Sequence, residues 1–470
     1  MRIEINPVSR IEGHGKVTIF FDHNGKVERV FFQATELRGY EKILTGMPME
    51  EVPRVVSTVC GICRAVHFIA AAKAGDQIFG VEATDTARTI REMMLCAHFI
   101  EDHTVSLLAL ALPDFLSPEE RSIFGVVKKL GDLGRELLRK RGYAVKILQI
   151  LGGRNIHPVA YVPGGWTKGV SGDEIAQIEK YSYELVDLGL KVADVVEGAL
   201  SFDEGCRLGL KLMGTVDRSG ALNLYDGFQV VKDQEGNEIE RFSGKDYIGV
   251  IAERVVPWSY SKIPYLRKFG WREFEDGDDS PFYIVGPQSR VRLGKLTPKA
   301  REVLERISDH PTDSIMFNHL ARAVEIIHAA ERLTELIQGY VSGDLQNDPE
   351  KISGEGVGIV EAPRGTLIHH YTTDDRGAVR DANLVVATTQ NVGAISMAVK
   401  KIAEKYGDSE NLAEKIEVAI RAFDPCMACA THAINGILPL EIEIYRDGEL
   451  VKVLRNYEED SGWNRQSVSR

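Results

Sequence analysis

The stretch Asp424–His432, DPCMACATH, decides how the rest of the chain is read. Two thiols on one tight turn with a histidine close behind are the donors of metal or redox chemistry. Two cysteines do not complete a four-coordinate site, so partners must come from elsewhere. They stand near the other end of the chain, in VCGICRAVH, Val59–His67, where Cys60 and Cys63 repeat the spacing and His67 follows. Of the six cysteines, four fall in these two pairs and only Cys96 and Cys206 remain. That is too few for a disulfide scaffold of 470 residues. Brought together, the pairs form a four-thiolate site. A structural zinc site uses the same donors, but zinc ribbons close over short spans, and these pairs lie at opposite ends of the sequence. Two separate redox pairs are a further alternative. Soft thiolates suit zinc, iron or nickel alike. If the pairs meet in space, everything between them is one cooperative unit.

Composition narrows the function class. Hydrophobic residues make up 44% and charged residues 27%, as in an ordinary globular protein. A net charge of −12 argues against a general nucleic-acid binder and against attachment to an anionic membrane surface. The apolar run Val105–Leu112 is far shorter than the roughly 20 residues that span a bilayer. MRIEINPVSRIEGHGK carries charges where a signal peptide needs an apolar centre. The expectation is therefore no direct membrane insertion, no targeting segment and a cytoplasmic protein.

Periodicity outlines an α+β fold, with a large bundle of long, largely buried helices and peripheral β-rich layers. KVTIFFDHNGKVERVFF alternates on both sides of Asn24-Gly25, a hairpin signal. LRGYEKI enters a short helix. From Cys63 to about Phe115 the pattern is helical and apolar nearly all round, as in the centre of a large protein. Ser117-Pro118-Glu119-Glu120 reads as a helix start, and GGRNIHPVAYVPGGW as an ordered loop. A long helix is expected from Ser171 to about Leu200, and a β-rich segment from about 200 to 295. Thr297-Pro298 restarts helix through to about Val341. GVGIVEAPRGTLIHHYTTD and NLVVATTQN read as strand and loop, and SENLAEKIEVAIRAF as an amphipathic helix leading into DPCMACATH.

Several charged residues stand in unusual company. Glu12 and His14 lie beside glycines in RIEGH, where a surface turn is the plainer reading, and Glu41 in LRGYEKI has the same status. Asp102-His103 sits inside the most apolar helix, either on a solvent stripe or buried with a partner. Ala362-Pro363-Arg364-Gly365 could be a turn with Arg364 exposed. His157, His369 and His370 read as structural.

With RIEGH, CGICRAVH, GGRNIHP, APRG and DPCMACATH in that order, the sequence resembles the large, catalytic subunit of nickel–iron hydrogenases along nearly its whole length. It looks most like cytosolic types, including methyl-viologen-reducing and heterodisulfide-reductase-linked enzymes. The resemblance implies nickel bound by Cys60, Cys63, Cys426 and Cys429. It implies that Cys63 and Cys429 bridge to an iron carrying carbon monoxide and cyanide, and that Cys60 and Cys426 are terminal. It makes Glu12 a proton relay, and Glu41, the backbone carbonyl of about Leu384 and His432 ligands of a magnesium (or iron) ion. Arg364, Asp102, Asp424 and Pro363 would surround the iron's diatomic ligands and the open metal position, and His67 would hydrogen-bond a bridging sulfur.

Three positions depart from the pattern. Thr58 stands where the family often has arginine. Ala387-Thr388 replaces Pro-Ser, with Thr388 retaining the hydroxyl that contacts a cyanide. Finally, the chain runs on past His432, where processed large subunits end. Residues 1–432 are thus expected to be one catalytic domain. Residues 433–470, with LEIEIYRDGELVKVL alternating about Asp447-Gly448, read as a propeptide with a β-hairpin, removed by a maturation protease once nickel-insertion proteins have acted.

Splitting dihydrogen heterolytically calls for an electrophilic metal centre and a nearby base. The electrons then need a route out. With only Cys96 and Cys206 unassigned, the chain lacks the four cysteines of an iron–sulfur cluster. An iron–sulfur small subunit is therefore required, with room for further electron-transfer subunits. Heterodisulfide reductase, NAD(P) and a deazaflavin are all open as acceptors. The competing readings are a metal-free structural relative from the complex I family, disfavoured by the intact cysteine quartet, and a zinc-stapled scaffold.

Overall fold

The computed structural model describes residues 2–407 and 409–431, and the backbone of Glu441–Arg446 and Glu449–Arg455. Its helices segregate from its sheets as an α+β chain. The long helices are α1 (Arg64–Ile78), α2 (Asp85–Val105), α3 (Asp132–Gly152), α4 (Gly172–Ala199), α5 (Phe317–Gln338), α6 (Ala387–Tyr406) and α7 (Leu412–Phe423). Helices α2, α3, α4 and α5 pack into a bundle. In α2 and α5 the residues point inward on almost every side. The segment Asp85–Phe115 has the length and apolarity of a membrane span, yet 83% of its apolar window is buried within the protein. Its hydrophobicity is that of a central helix.

Caps explain several boundaries. Thr84 accepts the Ala87 N–H at the start of α2, and Ser171 with Glu174 forms a reciprocal capping box on α4. Ser117-Pro118-Glu119-Glu120 makes only a short 3₁₀ turn. The helix that follows starts at Ile123 under a cap from Ser122, so the helix start read at Ser117 lies five residues early. The region after Pro298 is two helices, Pro298–Arg306 and α5, with a turn between. ATTQN is not loop but the first turn of α6, buried throughout. Its polar side chains bond to other segments, and tertiary packing overrides their loop-like composition.

The N-terminal hairpin pairs Gly15–Phe21 with Val27–Ala34, and Arg2–Ile5 adds a third antiparallel strand. Between α4 and α5 the β-rich segment supplies six strands, four of them in one sheet ordered 283–285, 211–216, 228–232, 238–242. A third sheet contains Glu355–Ala362, Gly365–Thr373 and Val379–Val385. Helix α1 lies directly on its first strand. A Cβ on Gly358 would meet the Ala70 carbonyl at 1.9 Å, so only glycine admits this approach. The tail strands 441–446 and 449–455 pair antiparallel, as their alternation predicts; the turn between them lies outside the described residues.

Candidate metal centre

The two cysteine pairs meet. The Sγ atoms of Cys60, Cys63, Cys426 and Cys429 all lie within 4.8 Å of one another, and all four residues are buried. Thiolates at about 2.3 Å from a shared ion stand roughly 3.3–4.6 Å apart, so the cage has the dimensions of a metal site. Among the described residues this is the one such grouping of ligands. Cys60 sits on the turn that opens α1, where the N–H groups of Ile62 and Cys63 point at its sulfur at 3.3 and 3.4 Å. Hydrogen bonds from Cys426, then Cys429 and Cys63, push the Cys60 thiol well below its usual range. Burial pushes Cys426 and Cys429 well above theirs. Thiolates crowded in a dry pocket repel one another, and a cation relieves that repulsion.

Glu12 closes the C-terminal pair. It forms an isolated parallel bridge with Cys426, its carbonyl accepts the Met427 N–H at 2.8 Å, and its carboxylate accepts the Ala428 N–H at 3.1 Å and the Cys426 thiol at 2.9 Å. Burial, then the Cys60 charge, raises its pKa. It is therefore no surface turn but a half-buried carboxyl within hydrogen-bond reach of a ligand sulfur. Gly13 permits the contact, with φ +74° and no room for a Cβ, which would stand 2.7 Å from the Ala428 nitrogen.

Arg364, readable from sequence as an exposed turn residue, is 3% exposed. Its guanidinium pairs with Asp102 and Asp424, each at 3.0 Å. It also donates to the Asp424 carbonyl at 2.6 Å and approaches the Cys63 sulfur at 3.4 Å. Burial opposes its charge, and the two carboxylates more than offset this, so it stays protonated. Asp102 is buried, and its Oδ1 has no hydrogen-bond partner among the described residues. This orphaned polar atom beside the quartet fits a pocket built to receive another group. Asp424 takes a left-handed backbone, φ 51°, as it ends α7. Pro363 presents its carbonyl to Arg290. Thr388 accepts the Cys426 N–H at 3.0 Å, which fixes that residue and leaves the hydroxyl proton free to donate elsewhere.

His67 meets the Cys429 sulfur at 3.4 Å, and its other ring nitrogen meets His369, which Tyr371 holds in turn at 2.6 Å. The structural reading of His369 thus understated it, since it fixes the orientation of His67. Thr58 hydrogen-bonds its own turn, and Arg38 reaches the Val59 carbonyl at 2.6 Å.

Glu41 is buried as well. Its carboxylate accepts the Lys262 ammonium at 2.8 Å and the Leu384 N–H at 2.9 Å. Leu384 therefore meets Glu41 through its amide nitrogen, whereas the sequence reading assigns its carbonyl to a metal ion. Lys262 also pairs with Glu253, so the buried Glu41 and the half-buried Glu253 face one ammonium. The Glu41 carboxylate is an oxygen donor of the kind that hard cations take. His432, the third expected ligand there, lies outside the described residues.

Sequence reading missed Lys262, Arg290, Glu325 and His98. His98 is wholly buried 3.9 Å from Asp102, with neither ring nitrogen hydrogen-bonded among the described residues. Its one available signal was its place four residues before Asp102, one turn along the same helix.

Comparison with known proteins agrees with this geometry. The family model described as nickel-dependent hydrogenase matches residues 38–122 and 285–432, and one described as HoxL-like matches 2–37. An iron-sulfur subunit of the F420-non-reducing hydrogenase of Archaeoglobus profundus is 48% identical over 97% of this chain and 100% of its own length. The beta subunit of the NAD-reducing hydrogenase HoxS of Cupriavidus necator is 34% identical over 94% of this chain and 97% of its own. The crystal structure of an NAD+-reducing [NiFe]-hydrogenase in the H2-reduced state superposes with TM-score 0.86 at 34% identity, covering 92% of this chain and 99% of that one. Identity at this level along nearly the whole chain, with all four thiols gathered at one point, makes the chain a member of the nickel-dependent hydrogenase family and the catalytic subunit of an enzyme that acts on dihydrogen.

Proposed function

We propose that the quartet holds a nickel–iron pair, with Cys60 and Cys426 terminal on nickel, Cys63 and Cys429 shared with iron, and the iron carrying carbon monoxide and cyanide. The observation that carries this reading is the cage of four buried thiols with Arg364 and Asp102 beside it. When bound, the pair supplies the electrophile on which dihydrogen is polarised. The chain supplies the rest. Glu12, hydrogen-bonded to Cys426 and with its pKa raised, takes the proton from that sulfur and passes it outward. Arg364, held by Asp102 and Asp424, aims a fixed positive charge at the open side of the cage. Pro363 and Thr388 would line the pocket that receives the iron's ligands, and His67 steadies the Cys429 sulfur. Glu41, the Leu384 carbonyl and His432 hold a magnesium or iron ion.

Electrons leave to an iron–sulfur small subunit, with further electron-transfer subunits beyond it. Cys96 and Cys206 lie in separate hydrophobic clusters, buried or nearly so, and do not add up to a cluster site. The relatives are each named as one subunit of a hydrogenase, which supports a multisubunit assembly. The protein is cytoplasmic. Residues 1–432 form the catalytic domain, and 433–470 are a propeptide that a maturation protease removes after nickel insertion. The deciding experiment is metal analysis with infrared spectroscopy of the mature protein. Nickel and iron together with carbon monoxide and cyanide stretching bands are expected; stoichiometric zinc without those bands would sink the proposal. Intact mass of active protein still ending at Arg470 would remove the propeptide.

A further inference from the structure

We propose that Arg290 is the positioning residue that sets Pro363 and Arg364 over the metal cage, with Glu325 and Glu361 as its anchors. The inference rests on the reading of Arg364 and Pro363 as residues that line the catalytic pocket. It goes beyond that reading by naming what fixes their height.

Arg290 is completely buried, on the short helix Pro287–Leu293. Every one of its N–H donors is used. Its Nε and Nη2 hold the two oxygens of Glu325 at 2.6 and 2.7 Å, and its Nη1 holds Glu361 at 2.8 Å. The last two donors end on main-chain carbonyls, Ala362 at 2.7 Å and Pro363 at 2.8 Å. These are the two residues immediately before Arg364. They belong to the tightest turn at the site, because Ala362 already pairs across the hairpin with Gly365 and only Pro363 and Arg364 lie between. Proline offers no N–H, so the carbonyls are the available handles. From the other side, Gly286 presses its backbone onto the same turn. A Cβ there would meet the Arg364 carbonyl at 2.9 Å, and the residue's φ is +108°.

The second half of the arrangement runs through Glu325. Its Oε2 also lies 2.9 Å from Nε2 of His103. His103 follows Asp102 on α2, and Asp102 is the carboxylate that pairs with Arg364. One guanidinium is thereby the common reference for the turn that carries Arg364 and, through Glu325 and His103, for the helix that carries Asp102. Stability alone gives no reason for such an arrangement, since buried ion networks are often replaceable by apolar side chains at little cost. A planar fork that grips two adjacent carbonyls and two carboxylates fixes distances, which a lysine with its point charge does not. An error of about 1 Å in such a placement costs about a hundredfold in rate.

The test compares metal-loaded Arg290→Lys with Arg91→Lys and the parent. Arg91 is an equally buried arginine, paired with Asp76, that shares no hydrogen-bond partner with Arg364 among the described residues. Arg290→Lys is expected to retain nickel and iron, to move the carbon monoxide and cyanide stretching bands, and to lower turnover about ten- to a hundredfold with a smaller change in KM. Arg91→Lys is expected to lower thermal stability while leaving the bands in place. Bands and turnover in Arg290→Lys no different from those of Arg91→Lys would overturn the inference. If Arg290→Lys does not accumulate, Glu361→Gln, which keeps the guanidinium and alters one anchor, is read the same way, with a smaller band displacement expected and none overturning the idea. A parent without the bands would refute the proposed iron ligands instead, and the turnover ratio would then decide for Arg290.

Discussion

The two cysteine pairs share a spacing and a metal cage, yet they are held by opposite means. Cys60 and Cys63 are held largely by their own turn, with Arg364 on the Cys63 sulfur and Arg38 on the Val59 carbonyl as distant additions. Their turn runs straight into the fifteen residues of α1, two of its own N–H groups bind the Cys60 sulfur, and Gly61 at its tip is exposed. Cys426 and Cys429 have only a four-residue helix, Met427–Ala430, and every residue from 421 to 431 is buried. What fixes them comes from far away: Glu12 on three bonds, Thr388 on the Cys426 amide, Arg364 on the Asp424 carbonyl and Arg322 on the Ala422 carbonyl. The first pair thus leans on bonds near in sequence, and the second on bonds distant in sequence. The two pairs are the two jaws of one cage, the first built on its own turn and the second closed by distant segments.

The comparison can be broken most severely at the sulfurs themselves. Cys426→Ala is expected to abolish dihydrogen oxidation and nickel retention, measured by activity and metal content, while the N-terminal pair keeps its fold. Glu12→Gln should come next: dihydrogen–deuterium exchange slows strongly although nickel stays bound, and normal exchange would remove Glu12 from the proton route. Gly13→Ala sharpens the contrast between the jaws. The new Cβ forces the backbone away from Ala428 at a cost of about 1–3 kcal/mol. In the metal-free protein, alkylation of Cys426 and Cys429 should rise while that of Cys60 and Cys63 is unchanged, read by peptide mass spectrometry. Thr388→Val removes a single acceptor and should cost about 1 kcal/mol in the same assay, with Thr388→Ser restoring it.

The smallest effect concerns a region away from both jaws. His328 is buried, and desolvation lowers its pKa from 6.5 to about 4. Its folded form is therefore favoured neutral. The stability this contributes is present above pH 6.5 and is lost as pH falls from 6.5 towards 4, by roughly 3 kcal/mol at most. His328→Gln should flatten thermal stability across that window without changing the reactivity of either cysteine pair.

The sequence made the quartet legible because thiols are scarce and their spacing repeats, and the hairpins because turn residues and alternation coincide, as at Asn24-Gly25. Other features were hidden for physical reasons. Thr388, Gln390 and Asn391 look like loop, yet they brace a buried helix through bonds to Cys426, Thr366 and Val285. Arg290 and Glu325 are plain charges on their own helices, and their meaning comes from carbonyls and carboxylates dozens of residues away. Lys262 appears beside Glu41 only after the β-rich segment has folded back on the third sheet. His369 is an ordinary strand histidine until His67 arrives against it. Local pattern reports what neighbours along the chain dictate, and these contacts are between segments.

The bridge between Glu12 and Cys426 joins residues 414 apart in the chain. At about 5–20 residues per second of synthesis, roughly 20–80 s separate the appearance of its two halves. Cys60 and Cys63 are thus synthesised well before Cys426 and Cys429, and the four-thiol cage is incomplete until the C-terminal motif emerges. A cage shared by the two ends of the chain is therefore a check on completeness: a truncated chain keeps two thiols and lacks both the other pair and the Glu12 contact.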